Sequence, residues 1–317
     1  QAQELWKRVA SFQGFSFCKS HSLSYAQLSF RCAWIKRHHP AQFWAAVIGN
    51  DHGYYPTTAY VDEIRRSGIR LLPWDVNESG WKFRGGNDWV RPGFQHVRGL
   101  HKTTVDALET VRADRRIENL PDLVCRLGSA SRSELEALVR VGACDGFGVS
   151  RTKSLAWLAE LLKTSRRRSE PDLFSTSGLP DHLRRLPDES DSERALEELR
   201  VAGYSVTSDP LAALADLGER RGAVAAARLP EFAGKSVKIV GVSVASRVHR
   251  VRESGEAMLF LSLSDQSGIA DTILWPAAYR KYHAVATSGG VLAVRGRVTE
   301  NDDTYALEAE HLEEVKP

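Results

Sequence analysis

Between Phe15 and Ala26 the chain reads Phe-Ser-Phe-Cys-Lys-Ser-His-Ser-Leu-Ser-Tyr-Ala. Lys19 and His21 supply charged or ring N–H donors, and Ser20, Ser22 and Ser24 supply hydroxyls; all are groups that hydrogen-bond phosphate oxygens. An apolar helical pattern starts directly behind them. The donors therefore stand at a helix start, where free backbone N–H groups and the helix dipole favour an anion. The implied chemistry is phosphate binding. The alternative is an ordinary capped helix start with a solvated Lys19 and a buried His21.

Further donors recur along the chain. Lys36-Arg37-His38-His39 closes the first helical pattern, where basic residues either complement the dipole or touch a nucleic-acid backbone, which positions without reading sequence. Arg65-Arg66 carries the same ambiguity. Gly142-Ala143-Cys144-Asp145-Gly146-Phe147-Gly148 lies between helical patterns at 131–141 and 150–162, the shape of a helix-hairpin-helix unit. Gly142, Gly146 and Gly148 either let backbone N–H groups approach a phosphate or simply punctuate the turn. An earlier unit is expected at Val97-Arg98-Gly99-Leu100-His101-Lys102-Thr103-Thr104, with Lys102 and Thr103 as side-chain contacts to phosphate.

These groups need elements to hold them. Leu23, Ala26, Phe30, Ala33 and Trp34 fall on a helical stripe, with Phe17 and Tyr25 expected to pack in a core. Pro40 breaks it, a second helix covers 41–48, and a third covers 57–67 with Gly68 behind it. Residues 71–75 read as extended around Pro73. The stretch 164–191 is linker-like, and a short helix follows at 193–200. From Lys235 the period becomes two, with strand patterns at 237–245, 257–263, 269–275, 290–298 and 304–312 and a helix at 276–286. Five strands with a helix between the third and fourth is the OB order. Arg247, His249, Arg250 and Arg252 are placed in the first inter-strand loop, with Phe260 and Trp275 as stacking platforms; weak, one-sided binding of a single strand is expected there, against a barrel that only packs. The acidic runs at 188–191 and 300–303 are read as solvated loop charge.

Bulk properties set bounds. The chain has 317 residues, enough for two or three domains, with 42% apolar and 26% charged residues. A net charge of +3 excludes adhesion to nucleic acid by bulk charge, so contacts must come from local patches. Cys18, Cys32, Cys125 and Cys144 have no metal-ligand spacing, and reduced thiols in a cytoplasmic setting are expected. No apolar run is long enough for a bilayer, and no signal peptide opens the chain, so no membrane partner is expected. Residue 1 is Gln, which points to a processed start or to a piece of a longer protein.

Phe17 to Ala26, followed by Ala33-Trp34-Ile35-Lys36-Arg37-His38-His39-Pro40-Ala41-Gln42-Phe43-Trp44-Ala45-Ala46, resembles the fingers region of the bacterial C-family DNA polymerases, the family of the replicative alpha subunit and its error-prone paralogues. Gly53-Tyr54-Tyr55, Arg65-Arg66-Ser67-Gly68-Ile69, Leu72-Pro73-Trp74-Asp75-Val76-Asn77-Glu78-Ser79 and Val97-Arg98-Gly99-Leu100 extend the resemblance over nearly the whole chain. It implies that Lys19, Ser20 and His21 face the triphosphate of an incoming deoxynucleotide, and that Lys36 and Arg37 contact template–primer DNA. It implies a palm, with the carboxylates that ligate Mg2+, upstream of this chain, so the isolated chain is expected to be inactive and to hold no metal. The family hairpin carries further glycines where His101, Lys102 and Thr103 stand here. Glu170-Pro171-Asp172-Leu173-Phe174 is similar to the family's sliding-clamp-binding motif, with Glu170 in place of glutamine.

The resulting expectation is a multidomain α+β protein: 1–90 the end of the fingers, 91–165 a tandem helix-hairpin-helix region, 166–232 a linker with the clamp-like motif (Glu170, Asp172, Leu173, Phe174), and 233–317 a five-stranded OB-fold barrel. Its DNA-contact candidates are Lys36, Arg37, Lys102, Thr103, Gly142, Gly146, Gly148, Arg247 and Arg250. The function implied is holding template–primer DNA and nucleotide in replication or error-prone repair synthesis, together with a clamp and other polymerase subunits. The alternatives are a non-catalytic DNA-binding module from a truncated or split gene, and a purely structural or partner-binding piece.

Overall fold

A computed structural model describes residues 19–50, 53–165, 178–252, 254–301 and 304–315. The Lys19 side chain is not among the described atoms, and Glu170, Asp172, Leu173 and Phe174 lie outside the described residues.

Helix α1 (Lys19–His38) ends on Lys36, Arg37 and His38. Pro40 opens α2 (Pro40–Gly49), where its missing N–H costs nothing. Helix α3 (Thr57–Arg66) stops at Gly68, whose φ of 70° is a conformation that glycine adopts without strain. A three-stranded sheet follows, with β1 (Arg70–Leu71) parallel to β3 (Trp89–Arg91), and β2 (Arg84–Gly85) antiparallel to β3. Then come α4 (Lys102–Asp114), α5 (Leu120–Arg126), α6 (Arg132–Arg140) and α7 (Arg151–Ser165). A reciprocal Ser131–Glu134 capping box fixes the start of α6, as Ser190–Glu193 fixes that of α8 (Asp191–Ala202).

One hydrophobic cluster runs from Ala41 in α2 through Trp74, Leu108 and Leu138 to Tyr204. The segments read from the sequence as 1–90 and 91–165 therefore share a core, and α8 closes it. The buried Trp74 indole stacks on Tyr204 with ring centroids 5.3 Å apart and donates to the Gly93 carbonyl at 3.1 Å. The stretch beyond 191 is consequently more than a linker.

After α9 (Ala212–Arg220) the chain forms a closed barrel in the order β4-β5-β6-β8-β7. Its strands are β4 (Ser236–Arg250), β5 (Ala257–Ser264), β6 (Ile269–Leu274), β7 (Val291–Asn301) and β8 (Thr304–Glu314), with α10 (Pro276–Ala286) between β6 and β7. This is the OB order expected from the sequence. Its separate core is built from inward positions of period two, such as Leu259, Leu261 and Leu263. The barrel leans on the helical part through Arg66, whose Nη1 donates to the Asp265 carbonyl at 3.2 Å. The Asp265 carboxylate in turn accepts from the N–H groups of Ala226, Ser267 and Gly268. Among the described residues no helix is long and apolar enough to cross a membrane.

Candidate nucleic-acid interface

The barrel presents one outward face on β4, β5 and β6. Leu259, Leu261 and Leu263 point inward, so Met258, Phe260 and Ser262 point outward. Register places Arg247 directly opposite Phe260, and Phe260 directly opposite Ile273. One row across the face is therefore a cation, an aromatic ring and an aliphatic. The next row holds His249 opposite Met258, and Trp275 lies two residues past Ile273 on the same side. Phe260 is 41% exposed and Trp275 43%. Large rings this open on a strand face leave apolar area uncovered, a burial of about 25 cal/mol per Å² that a ligand can recover. The His249 ring lies 6.3 Å from that of Phe260. Among the described residues Arg247 has no carboxylate within ion-pair distance.

The sequence reading placed Arg247 and Arg250 in a loop; the structure places both on β4. That strand continues past the barrel wall to pair with all of β5, after an irregularity in register between Ser243 and Ala245. Outside the wall residues 246–250 are all exposed, Val248 among them, so no burial pattern marks them as a strand and they mimic a loop. Arg250 Nη1 donates to the Gly255 carbonyl at 3.0 Å, which ties the β4–β5 turn. The far end of the face is covered and acidic: Ser262 Oγ donates to Asp271 at 2.7 Å. Burial first, and then the Asp271 carboxylate, raise the nearby Tyr55 phenol above its ordinary value. Of the acidic run at 300–303, residues 302 and 303 are not described.

The hairpin region is arranged differently. The N–H groups of Gly142 and Gly148 are spent within the turn, on the carbonyls of Val139 and Asp145 at 3.0 Å each. Both glycines have positive φ, 86° and 72°. A Cβ at Gly142 would meet the Arg151 guanidinium at 2.1 Å. Glycine at 142 thus admits Arg151, and no phosphate is needed to account for it. Arg151 is buried and donates to Asp145 at 2.8 Å and to Glu198 at 2.8 Å. Glu198 is fully buried and also accepts from Ser205 Oγ and the N–H groups of Val206 and Thr207.

At the start of α7 an anion is already in place, and it belongs to the chain. Glu189 accepts from the N–H groups of Arg151 at 2.9 Å and Thr152 at 3.0 Å, and Asp188 accepts from Lys153 Nζ at 2.7 Å. Burial alone would raise the Glu189 carboxyl, but the N–H donors of Thr152 and Arg151 outweigh it and hold it at about 2. The expectation of solvated charge at 188–191 is corrected accordingly: the Glu189 side chain is only 9% exposed and caps a helix. Sequence reasoning had no signal for this, because the partner lies 38 residues upstream.

The earlier unit is closed in the same way. Lys102 Nζ is held by Asp106 at 2.7 Å. Thr103 is exposed, whereas Thr104 is buried and donates to Glu134. Burial would raise the Glu134 carboxyl, yet donors from Thr104, Ser131 and His101 hold it at about 2. Glu134 thereby joins the start of α4 to the start of α6.

On α1, Ser20 and His21 occupy the first turn, with the His21 ring edge-on to Tyr25 at 4.6 Å. Tyr25 was expected in a core but is 59% exposed, as are most of Leu23, Leu28, Phe30 and Trp34. Lys36 Nζ stands 4.8 Å over the Trp44 ring and 3.9 Å from Glu63, and Arg37 is exposed in the last turn. Arg65 and Arg66 serve internal contacts, Arg65 to the carbonyls of Ser205 and Ser208. Among the described residues no three His, Cys, Asp or Glu side chains converge to hold a metal ion.

Comparisons with known proteins agree with this layout. Residues 68–154 match a model described as a helix-hairpin-helix motif, and residues 242–315 one described as an OB-fold nucleic acid binding domain. An error-prone DNA polymerase of Corynebacterium glutamicum is 29% identical over 98% of this chain and 28% of its own length. Error-prone DNA polymerase 1 of Rhizobium meliloti is 28% identical over 100% of this chain and 30% of its own. An error-prone DNA polymerase of Mycolicibacterium paratuberculosis is 32% identical over 97% and 28%. The chain therefore spans less than a third of the curated relatives it matches, and the resemblance read from its motifs holds along its length.

Proposed function

We propose, from this chain's kinship with the error-prone DNA polymerases of the C family, that it is a DNA-holding part of such an enzyme and that the outer face of its barrel grips single-stranded template. The observation that carries this is the row Arg247–Phe260–Ile273 with Trp275 beside it. Two exposed rings offer π-faces to successive bases, and Arg247 neutralises the adjoining backbone. Stacking of this kind tolerates any sequence, as template passage requires. The hairpin region acts chiefly as a frame that closes the core of the helical part. Ser20, His21 and Lys19 at the start of α1 suit a triphosphate, Lys36 and Arg37 suit template–primer backbone, and residues 170–174 suit a sliding clamp. Nucleotidyl transfer, with Mg2+ held by carboxylates other than those described, belongs to the whole polymerase under this reading.

The test is binding of a labelled oligo(dT) to the full chain over a salt series. The reading expects log K to fall linearly with log salt, and Arg247→Ala to make that slope shallower by about 0.7, the value for one neutralised phosphate of a single strand. No binding at 50 mM salt, or a slope that Arg247→Ala leaves unchanged, contradicts it. For the nucleotide, His21→Ala in an intact polymerase raises the nucleotide concentration required; an unchanged requirement removes that role.

A further inference from the structure

Trp275, Tyr279 and His283 recur every fourth residue from the N-cap of α10 onward and so lie along one helix face. The Tyr279 and His283 rings are 5.9 Å apart. Beside them is a groove of about 470 Å³ lined by Glu256, Ala257, Pro276, Tyr279, Arg280 and His283. Its rim is polar: Arg280 Nη1 donates to Glu256 at 2.6 Å, with both side chains largely in solvent. Lys281 follows, its Nζ 4.9 Å over the Tyr282 ring.

The groove meets the sheet face at Trp275, which immediately precedes Pro276 in the groove wall. Trp275 belongs to both regions, closing the face and opening the helix.

We propose that this groove is a second base-binding subsite for single-stranded DNA, taking a base that has passed Phe260 and Trp275. The subsite rests on the reading of the sheet face as a single-strand platform. A flat heterocycle enters edge-first, stacks on Tyr279 and meets His283. The Glu256–Arg280 pair presents acceptors and donors to the edge of any base, and Lys281 draws the following phosphate. The helix thus lengthens the strand's path from the sheet onto α10. The charge there suits a nucleic acid: Arg280 and Lys281 outnumber Glu256.

The experiment measures the affinity of the full chain for oligo(dT) from four to twelve nucleotides, with Phe260→Ala and His283→Ala/Tyr279→Leu as variants. In the unmodified chain, affinity rises by about 5- to 150-fold once the strand reaches the groove, since stacking contributes about 1–3 kcal/mol per base. His283→Ala/Tyr279→Leu abolishes that rise and leaves the shortest strand unaffected. Phe260→Ala weakens every length. The single variant His283→Ala, at an exposed position, gives a smaller loss of the same length dependence and separates it from misfolding. Affinity that is flat with length yet sensitive to Phe260→Ala overturns the subsite alone. So does a double variant that weakens every length equally, or none. Absence of binding at every length overturns the platform and the subsite together.

Discussion

The hairpin region matches a helix-hairpin-helix motif and the barrel an OB-fold nucleic acid binding domain, yet they treat their own charges in opposite ways. In the hairpins, several groups suited to a phosphate have been given a carboxylate from the same chain. The start of α7 holds Glu189, Lys153 holds Asp188, Lys102 holds Asp106, and Glu134 gathers Thr104, Ser131 and His101. On the barrel face Arg247 stands opposite an exposed Phe260 with no acid among the described residues to hold it. A donor that is already satisfied must lose a partner before it gains a phosphate; a solvated one need only lose water and counterions. Under the proposed function, the difference separates a motif used as a joint from a motif used as a grip.

The largest effect expected from this contrast is on stability. Arg151→Met leaves Glu198, which is fully buried, without its cation. Breaking one partner of a buried pair costs about 3–5 kcal/mol. The urea midpoint of the unmodified chain and the variant reads it directly; a midpoint that stays in place shows the joint to be dispensable.

Next is acid. The Glu134 and Glu189 carboxyls sit at about 2 in the folded chain, below their usual 4.5. Their folded pKa is depressed, so the stability they contribute is present above pH 4.5 and is lost as pH falls toward 2. Glu134→Gln should flatten part of that fall in a series of denaturation midpoints, while the barrel, without such carboxylates on its outer face, adds little to it. A pH profile identical in the variant breaks the assignment.

Binding comes third. Phe260→Ala should weaken oligo(dT) binding by about 1–3 kcal/mol, about 5- to 150-fold, with the melting temperature nearly unchanged because the ring is on the surface. The smallest effect is reserved for Lys102→Ala, whose charge is spent on Asp106: single-strand affinity should change by less than about twofold. Reversal of these two magnitudes would exchange the roles of the two regions.

The barrel was legible in the sequence because alternation with period two, glycines at the turns and one helical interruption leave few other topologies. The hairpin helices were legible through their capping and glycines. The roles of charges were less so. Glu189 and Arg151 find each other across 38 residues, and a local pattern cannot distinguish a capping carboxylate from a solvated one. Arg247 was read into a loop because β4 outruns the barrel, where alternation no longer has a core to record. On α1 the helical stripe was evident, but its exposed Phe30 and Trp34 show that periodicity announces a face and is silent about what covers it.

The most direct measurement is amide hydrogen exchange of the full chain with and without saturating oligo(dT). The account predicts added protection along 257–275 and the end of β4, with residues 97–104 and 142–153 unchanged. Protection concentrated at those hairpin residues, with the barrel face exchanging as in the free chain, would contradict it.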